Sequence, residues 1–322
     1  MEVKVSLIIP VKDEEDSISM LLESIKGQTY QPDEIVITNA GSKDRTVEII
    51  ESYIKKGMPI KIISVEHAYP GKARTIAIEA ARNELIAMTD AGVVLDRNWL
   101  KELVRPVIEQ NNVNVVYGHY EPILDSFFKK CLAIAFIAAP RNIDGKRIRA
   151  HFVASMLVKK KVWSSVGGFP DLRAAEDRIF MERIEKAKFC IAYSPDAKVF
   201  WSIPSDFKAV FKRFSLYSMH DIIAGRMQEW HYPVIAMYLL GGIIFLLGLL
   251  FSPIWFFLLF LAMFSRATVM IFEKSADKAL SYKLDIIKIM LVAALIIWID
   301  LAMFWGIARY FWKGIEESWL PA

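Results

Sequence analysis

Between Tyr232 and Ser265 the chain carries no charged residue. Wound into one α-helix at about 1.5 Å per residue, that run would far exceed a hydrocarbon core of about 30 Å. It therefore has to break. Ser252-Pro253 is the natural place, because proline has no N–H to give the helix and its ring crowds the preceding turn. The reading is one span from Pro233 to Phe251, a second from Ile254 to Phe272 and a third candidate from Ile286 to Ile307. With 54% apolar residues overall, concentrated toward the C-terminus, a fold wholly exposed to water is excluded.

Lys208, Lys212, Arg213 and Arg226 precede the first span, which places that flank in the cytoplasm by the positive-inside tendency. The N-terminal apolar run is short and is followed at once by "KDEED", so no signal peptide is expected and the catalytic part stays cytoplasmic. The chain then reads as a multi-pass protein of the cell membrane. Cys131 and Cys190 form neither a disulfide framework nor a metal spacing, as a reducing compartment requires. The net charge of +4 is mild, and no nucleic-acid partner is expected. The resulting division is 1–205 as a catalytic domain, 206–231 as a juxtamembrane region and 232–322 as the membrane region.

The first hundred or so residues alternate. "VSLIIPV", "EIVIT", "IKIISV" and "LIAMT" are short β-branched apolar runs, and "EEDSISMLLESIKG", "SKDRTVEIIESYIKKG" and "GKARTIAIEAARNE" lie between them. Ser42 reads as an N-cap, Asp44 as a first-turn acid and Gly57 as the stop of the second helix. Such alternation predicts an α/β fold with parallel strands and helices on both faces. Further on, "NVVYGHY" reads as a strand, Gly167-Gly168 as a turn and Glu176-Asp177 as a helix start. Phe207, Val210, Phe211 and Phe214 fall at helical spacing opposite basic residues, the pattern of an interfacial helix. Asp90 stands at the carboxyl end of "LIAMT". In open α/β sheets that edge forms the ligand crevice, although a turn residue or helix cap would look the same.

"SLIIPVKDEE", "NAGSKDRT", "PGKARTIAIEAARNELIAMTDAG" and "VGGFPDLRAAEDRIFMERI" occur in that order. Together they resemble the signature set of family 2 glycosyltransferases, inverting enzymes of the GT-A fold, over about residues 3 to 220. The membrane tail resembles that of members acting on lipid-linked acceptors such as polyprenol phosphates. The resemblance implies a Rossmann-like, mostly parallel sheet followed by transmembrane helices. It also implies a nucleotide-sugar donor, a lipid-linked or membrane-proximal acceptor, contact with membrane lipids, and transfer of one sugar.

By position, the resemblance assigns Pro10, Lys12 and Glu14 to the base and ribose pocket and Asn39 to the ring of the base. Arg74 is placed near the nucleotide, Asp90 at the first acid of the DXD motif, and Asp177, beside Glu176, at the general base. Read without the resemblance, Arg74 is equally a solvated helix charge and "AAED" a charged helix start. The sequence departs from the family pattern at four places. Asn39 replaces an aspartate, Gly92 replaces the second acid of DXD, Trp201 stands where some relatives carry a metal-binding histidine, and "RFSLY" replaces QXXRW. A divalent cation, Mg²⁺ or Mn²⁺, is implied at Asp90; it would be held by Asp90 with waters, or with a second acid such as Glu121 or Asp96, or be replaced by basic residues. The departures motivate an alternative in which the chain is a non-catalytic nucleotide-binding membrane protein.

Arg141, Lys146, Arg147 and Arg149 form a basic cluster suited to a lipid phosphate or anionic headgroups, or simply to solvent. His119, His151, His220 and His231 have no ligand spacing. Asp300 is an intramembrane acid whose candidate partner is Arg266, reachable by tilt or snorkelling if Tyr282 is cytoplasmic.

Overall fold

The computed structural model describes residues 3–143, 145–149, 151–274 and 285–318, with side chains to residue 312. Tyr282, and the end of the C-terminal "KGIEESWLPA" segment, lie outside the described residues. The chain divides into two compact units, Met1–Ile123 with Pro140–Ser202, and Leu124–Ala139 with Ile203–Ala322. The boundary read near residue 205 lies close to the break at Ser202/Ile203, but Leu124–Ala139 groups with the second unit.

The first unit holds, in chain order, β1 (Val5–Val11), α1 (Ile18–Lys26), β2 (Glu34–Asn39), α2 (Thr46–Lys55), β3 (Ile60–Ser64), α3 (Pro70–Ala80), β4 (Leu85–Met88), β5 (Val93–Leu95), α4 (Trp99–Glu109) and β6 (Val115–Pro122). After α5 (Phe127–Phe136), which belongs to the second unit, come β7 (Arg141–Ile143), β8 (Lys146–Ile148), β9 (Met156–Lys159), α6 (Lys160–Ser165), α7 (Glu176–Lys186) and β10 (Ile191–Trp201). Eight strands form one sheet in the order β3-β2-β1-β4-β9-β6-β10-β5. The parallel sheet expected from the alternation is corrected to a mixed one: β9 runs antiparallel between β4 and β6, and β5 antiparallel on the edge beside β10. Because β9 is central, Lys159–Lys161 leave the end of an interior strand, and Lys160 Nζ donates to the carbonyls of Glu79 and Ala81 at 3.2 and 2.8 Å.

Side chains alternate across the sheet. One face packs Leu7, Ile9, Ile37 and Ala87 against α1, α2 and α4, with Trp99 fully buried. The other packs Ile8, Met88, Val115 and Tyr117 against Ala77 and Ile78 of α3 and Phe180 and Ile184 of α7. Asp90, two residues beyond Met88, continues toward that second face.

The second unit adds α8 (Phe207–Ile223), α9 (His231–Leu250), α10 (Ile254–Lys274) and α11 (Ile286–Ser318) to α5. The break at Ser252-Pro253 falls where proline requires it. Three helices are long and apolar enough to cross a membrane: His231–Leu250, Ile254–Lys274 and Ile286–Trp312. Asp206 caps α8 by accepting the Ala209 N–H at 2.8 Å, and Val210 and Phe214 are buried. Gly306 of α11 meets α8 so closely that a Cβ there would lie 2.5 Å from the Ser215 carbonyl oxygen. Arg266 pairs directly with Asp300 at 2.6 Å, and the Tyr238 hydroxyl donates to the same carboxylate at 3.2 Å, so α9, α10 and α11 share one buried acid.

Candidate active site

Strands β1, β2, β4 and β6 all point the same way, and their carboxyl ends form one edge of the sheet. At that edge the loop after β1 is stitched to the loop after β2. Asp13 N–H donates to Ser42 Oγ at 3.0 Å, Glu14 N–H to Thr46 Oγ1 at 2.7 Å and Glu15 N–H to Asp44 Oδ2 at 3.0 Å. In return Asp13 Oδ1 accepts Lys43 N–H at 2.8 Å and Glu15 Oε2 accepts Arg45 N–H at 3.0 Å. This stitching corrects the N-cap reading: Ser42 serves the neighbouring loop, Arg45 occupies the cap position, and Asp44 accepts the Thr46 N–H at 3.0 Å. Gly57, with φ 89°, does follow the end of the helix.

Pro10 lies within β1 opposite Thr38, Lys12 is exposed just beyond it, and the Glu14 carboxylate takes the Ser17 hydroxyl hydrogen. Asn39 ends β2 and is buried. Its Oδ1 accepts Ser42 N–H at 3.0 Å and its Nδ2 donates to Ser64 Oγ at 3.3 Å. The side chain holds its own loop, and each of its two polar atoms retains one further hydrogen-bonding position.

Arg74 joins residues far apart in sequence. It sits one turn into α3, which starts at Pro70 with proline's preset φ. Its Nη2 donates to Asp90 Oδ1 at 2.7 Å and its Nη1 to Glu176 Oε1 at 2.7 Å. The Arg74 side chain is 5% exposed, Glu176 7% and Asp90 33%. Its guanidinium also lies over the Phe169 ring, 5.6 Å from the centroid. Burial alone would lower the Arg74 pKa, but the charges of Asp90 and Glu176 outweigh it and keep the cation firmly protonated. Burial pushes the Glu176 carboxyl up to about 7, with Arg74 opposing the rise and Asp177 adding to it.

Two backbone features make this junction possible, and neither was apparent from the sequence. A Cβ on Gly71 would lie 2.2 Å from the Pro170 carbonyl oxygen and 3.2 Å from Glu176 Cβ, so only glycine lets α3 approach the loop before α7. Ala175, immediately before the acid pair, sits in the left-handed region at φ 67°, a conformation that strains an L-residue by about 1–2 kcal/mol. Asp177 follows on the first turn of α7, half-buried, with Oδ1 accepting the Arg178 N–H at 2.7 Å.

The basic cluster does not converge. In the β7–β8 hairpin Arg141 is paired with Ile148 and Arg147 with Asn142, so the two arginines project to opposite faces. Arg149 is fully buried, its Nη2 3.4 Å from Glu121 Oε2. Its backbone N–H donates to His119 Nδ1 at 2.9 Å, which leaves Nε2 protonated to donate to Glu121 Oε1 at 2.8 Å. The expectation that Arg149 meets an acceptor phosphate is thereby corrected: folding places it beneath Glu121 instead. Burial would raise the Glu121 carboxyl, but the His119 hydrogen bond and the Arg149 charge hold it below the ordinary glutamate range.

A divalent cation at Asp90 finds no cage of protein ligands. Arg74 takes Oδ1, Gly92 offers no side chain, and Trp201 ends β10 as an aromatic packed on Tyr120. Glu121 is engaged as described, and Asp96 Oδ1 accepts Asn98 N–H at 2.9 Å at the start of α4. Among the described residues no three His, Cys, Asp or Glu side chains gather as a metal site.

Residues 6–157 match the family model described as glycosyl transferase family 2. The chain carries a family 2 glycosyl transferase domain. EpsH of Bacillus subtilis, named as a glycosyltransferase, is 34% identical over 109 residues, which are 34% of this chain and 32% of that protein. The chain thus matches about a third of that relative's length. A glycosyltransferase of Haemophilus influenzae is 23% identical over 247 residues, covering 73% of this chain and 95% of that one. The fold is also that of the mannosyltransferase PcManGT of Pyrobaculum calidifontis, solved with GDP-Man and Mn²⁺. The TM-score is 0.56 at 17% identity, over 97% of this chain and 88% of that one.

Proposed function

We propose that this family 2 domain works as an inverting glycosyltransferase, anchored by its apolar helices, that moves one sugar from a nucleotide-sugar donor to a lipid-linked or membrane-proximal acceptor. The donor would lie along the carboxyl edge of the sheet, its nucleoside over the stitched loops of Lys12, Glu14 and Asn39 and its diphosphate toward Asp90. The observation that carries this reading is the bridge from Asp90 through Arg74 to Glu176. It ties the end of β4 to the start of α7 and thereby sets Asp177 relative to the donor.

In the transfer, the acceptor oxygen forms a bond to the anomeric carbon as the bond to the diphosphate breaks on the opposite face. Asp177 takes the acceptor proton. With a polyprenol phosphate as acceptor, the attacking oxygen is already anionic, and Asp177 orients it instead. Arg74 holds Glu176 beside Asp177 and keeps a positive charge near the departing group. Basic residues before the first span support a cytoplasmic catalytic unit and a membrane acceptor reached from that side.

The test is nucleoside diphosphate release from a panel of nucleotide sugars by the full chain in nanodiscs, with membrane lipid extract as acceptor. Release from one donor, dependent on the extract, is the expected result. Donor binding with no release under any lipid or cation condition would replace this reading with the non-catalytic one.

A further inference from the structure

The carboxylate best placed for a divalent cation already faces a cation of the protein's own. Arg74 Nη2 lies 2.7 Å from Asp90 Oδ1, and no hydrogen bond or ion pair within the described residues reaches Oδ2. A hard cation entering there would meet one available carboxylate oxygen and the repulsion of a buried guanidinium. The next place for a ligand is Gly92. A Cβ there would meet nothing within 4 Å, and Gly92 is not among the glycines with positive φ, so the backbone would accept a side chain without strain. The space is present and the ligand is absent. Across the ladder from Val93 stands Trp201, and the Gly92 carbonyl accepts Ser202 N–H at 3.4 Å.

Ions of this kind prefer about six oxygens and give up water reluctantly. One carboxylate oxygen next to an arginine does not repay that dehydration. A diphosphate does, because it brings several anionic oxygens and also offsets the Arg74 charge. We propose that the free protein has no divalent-cation site of its own, that a cation reaches Asp90 only together with a nucleoside diphosphate, and that Gly92 sets this dependence. The inference rests on the nucleotide-sugar reading for its second part only; the first follows from the ligand set around Asp90.

Mn²⁺ binding followed by electron paramagnetic resonance separates the two. The full-length protein in nanodiscs is titrated with Mn²⁺ alone, then with UDP or GDP, beside nucleotide-only controls. The same titration is made with Gly92→Asp in the absence of nucleotide, after its melting temperature has been matched to wild type. Wild type alone should leave the free Mn²⁺ signal undiminished, and one of the two nucleotides should produce a protein-bound signal that Asp90→Ala removes. Gly92→Asp alone should bind Mn²⁺ at least about tenfold more tightly than wild type, since affinity follows the count of charged ligands. Wild type binding one Mn²⁺ alone as tightly as Gly92→Asp would overturn the proposal, as would a folded Gly92→Asp that gains no affinity. The wild-type arm decides the first part even if the variant fails to fold. Failure of the transferase reading appears elsewhere, as absent nucleoside diphosphate release, and leaves the nucleotide-free titrations unchanged.

Discussion

Replacing Arg74 by methionine keeps most of the side chain's volume and removes the charge shared by Asp90 and Glu176. Breaking a buried pair by deleting one partner costs about 3–5 kcal/mol, because the remaining charge is left without compensation. Two features of the site reduce that figure. Asp90 is one-third exposed and is screened by water, so its share is small. Glu176 already sits at about 7 and, without Arg74, takes up a proton more readily still. A loss of about 2–4 kcal/mol remains, which for a domain of this size lowers the melting temperature by roughly 4–16 °C.

The pH dependence identifies the cause. A carboxyl whose folded pKa is raised binds more protons in the folded state than in the unfolded one, so its contribution to stability falls as pH rises from the ordinary glutamate value through the folded pKa. In Arg74→Met that window extends to higher pH than in wild type. The deficit should therefore be larger at pH 8 than at pH 5.5, and Arg74→Met with Glu176→Gln should recover part of it. Thermal unfolding followed by tryptophan fluorescence in nanodiscs provides the assay. A deficit under 2 °C, or one independent of pH and unrelieved by Glu176→Gln, would refute the buried-bridge argument.

Gly71→Ala should abolish donor turnover and lower the melting temperature, because its methyl group would displace the Pro170 carbonyl and with it α7; unchanged turnover would show that the loop yields freely. Ala175→Gly should raise stability by about 1 kcal/mol through relief of the left-handed strain, whereas Ala175→Val should lower it, as read by melting temperature. Glu121→Gln should cost about 1–2 kcal/mol at neutral pH. Since the Glu121 pKa is depressed in the fold, that cost should vanish as pH falls through the folded value, measured by unfolding at pH 7 and pH 3.5.

Much of the catalytic unit was legible because its early strands and helices carry their own periodicity. β9 was not: Met156–Lys159 is a short apolar run whose direction is set by the strands on either side. At the site, "PGKAR" places Arg74 early in a helix, but its two partners come from residues 16 and 102 positions away. No local pattern encodes that bridge. Arg149 shows the opposite failure, since four basic residues close in sequence suggest a common target, yet strand alternation and burial send them different ways. Asp300 was conspicuous because an acid in an apolar helix needs a partner, and Arg266, 34 positions earlier, provides it.

The account centres on Asp177 as the group that acts on the acceptor. Its most direct test compares wild type with Asp177→Asn and Asp177→Glu on the preferred donor, measuring donor affinity and turnover separately. Donor affinity should be unchanged and turnover should fall by about 10²–10⁴-fold in Asp177→Asn for a hydroxyl acceptor, with Asp177→Glu recovering part of it. Asp177→Asn turning over at the wild-type rate on a hydroxyl acceptor would contradict the assignment.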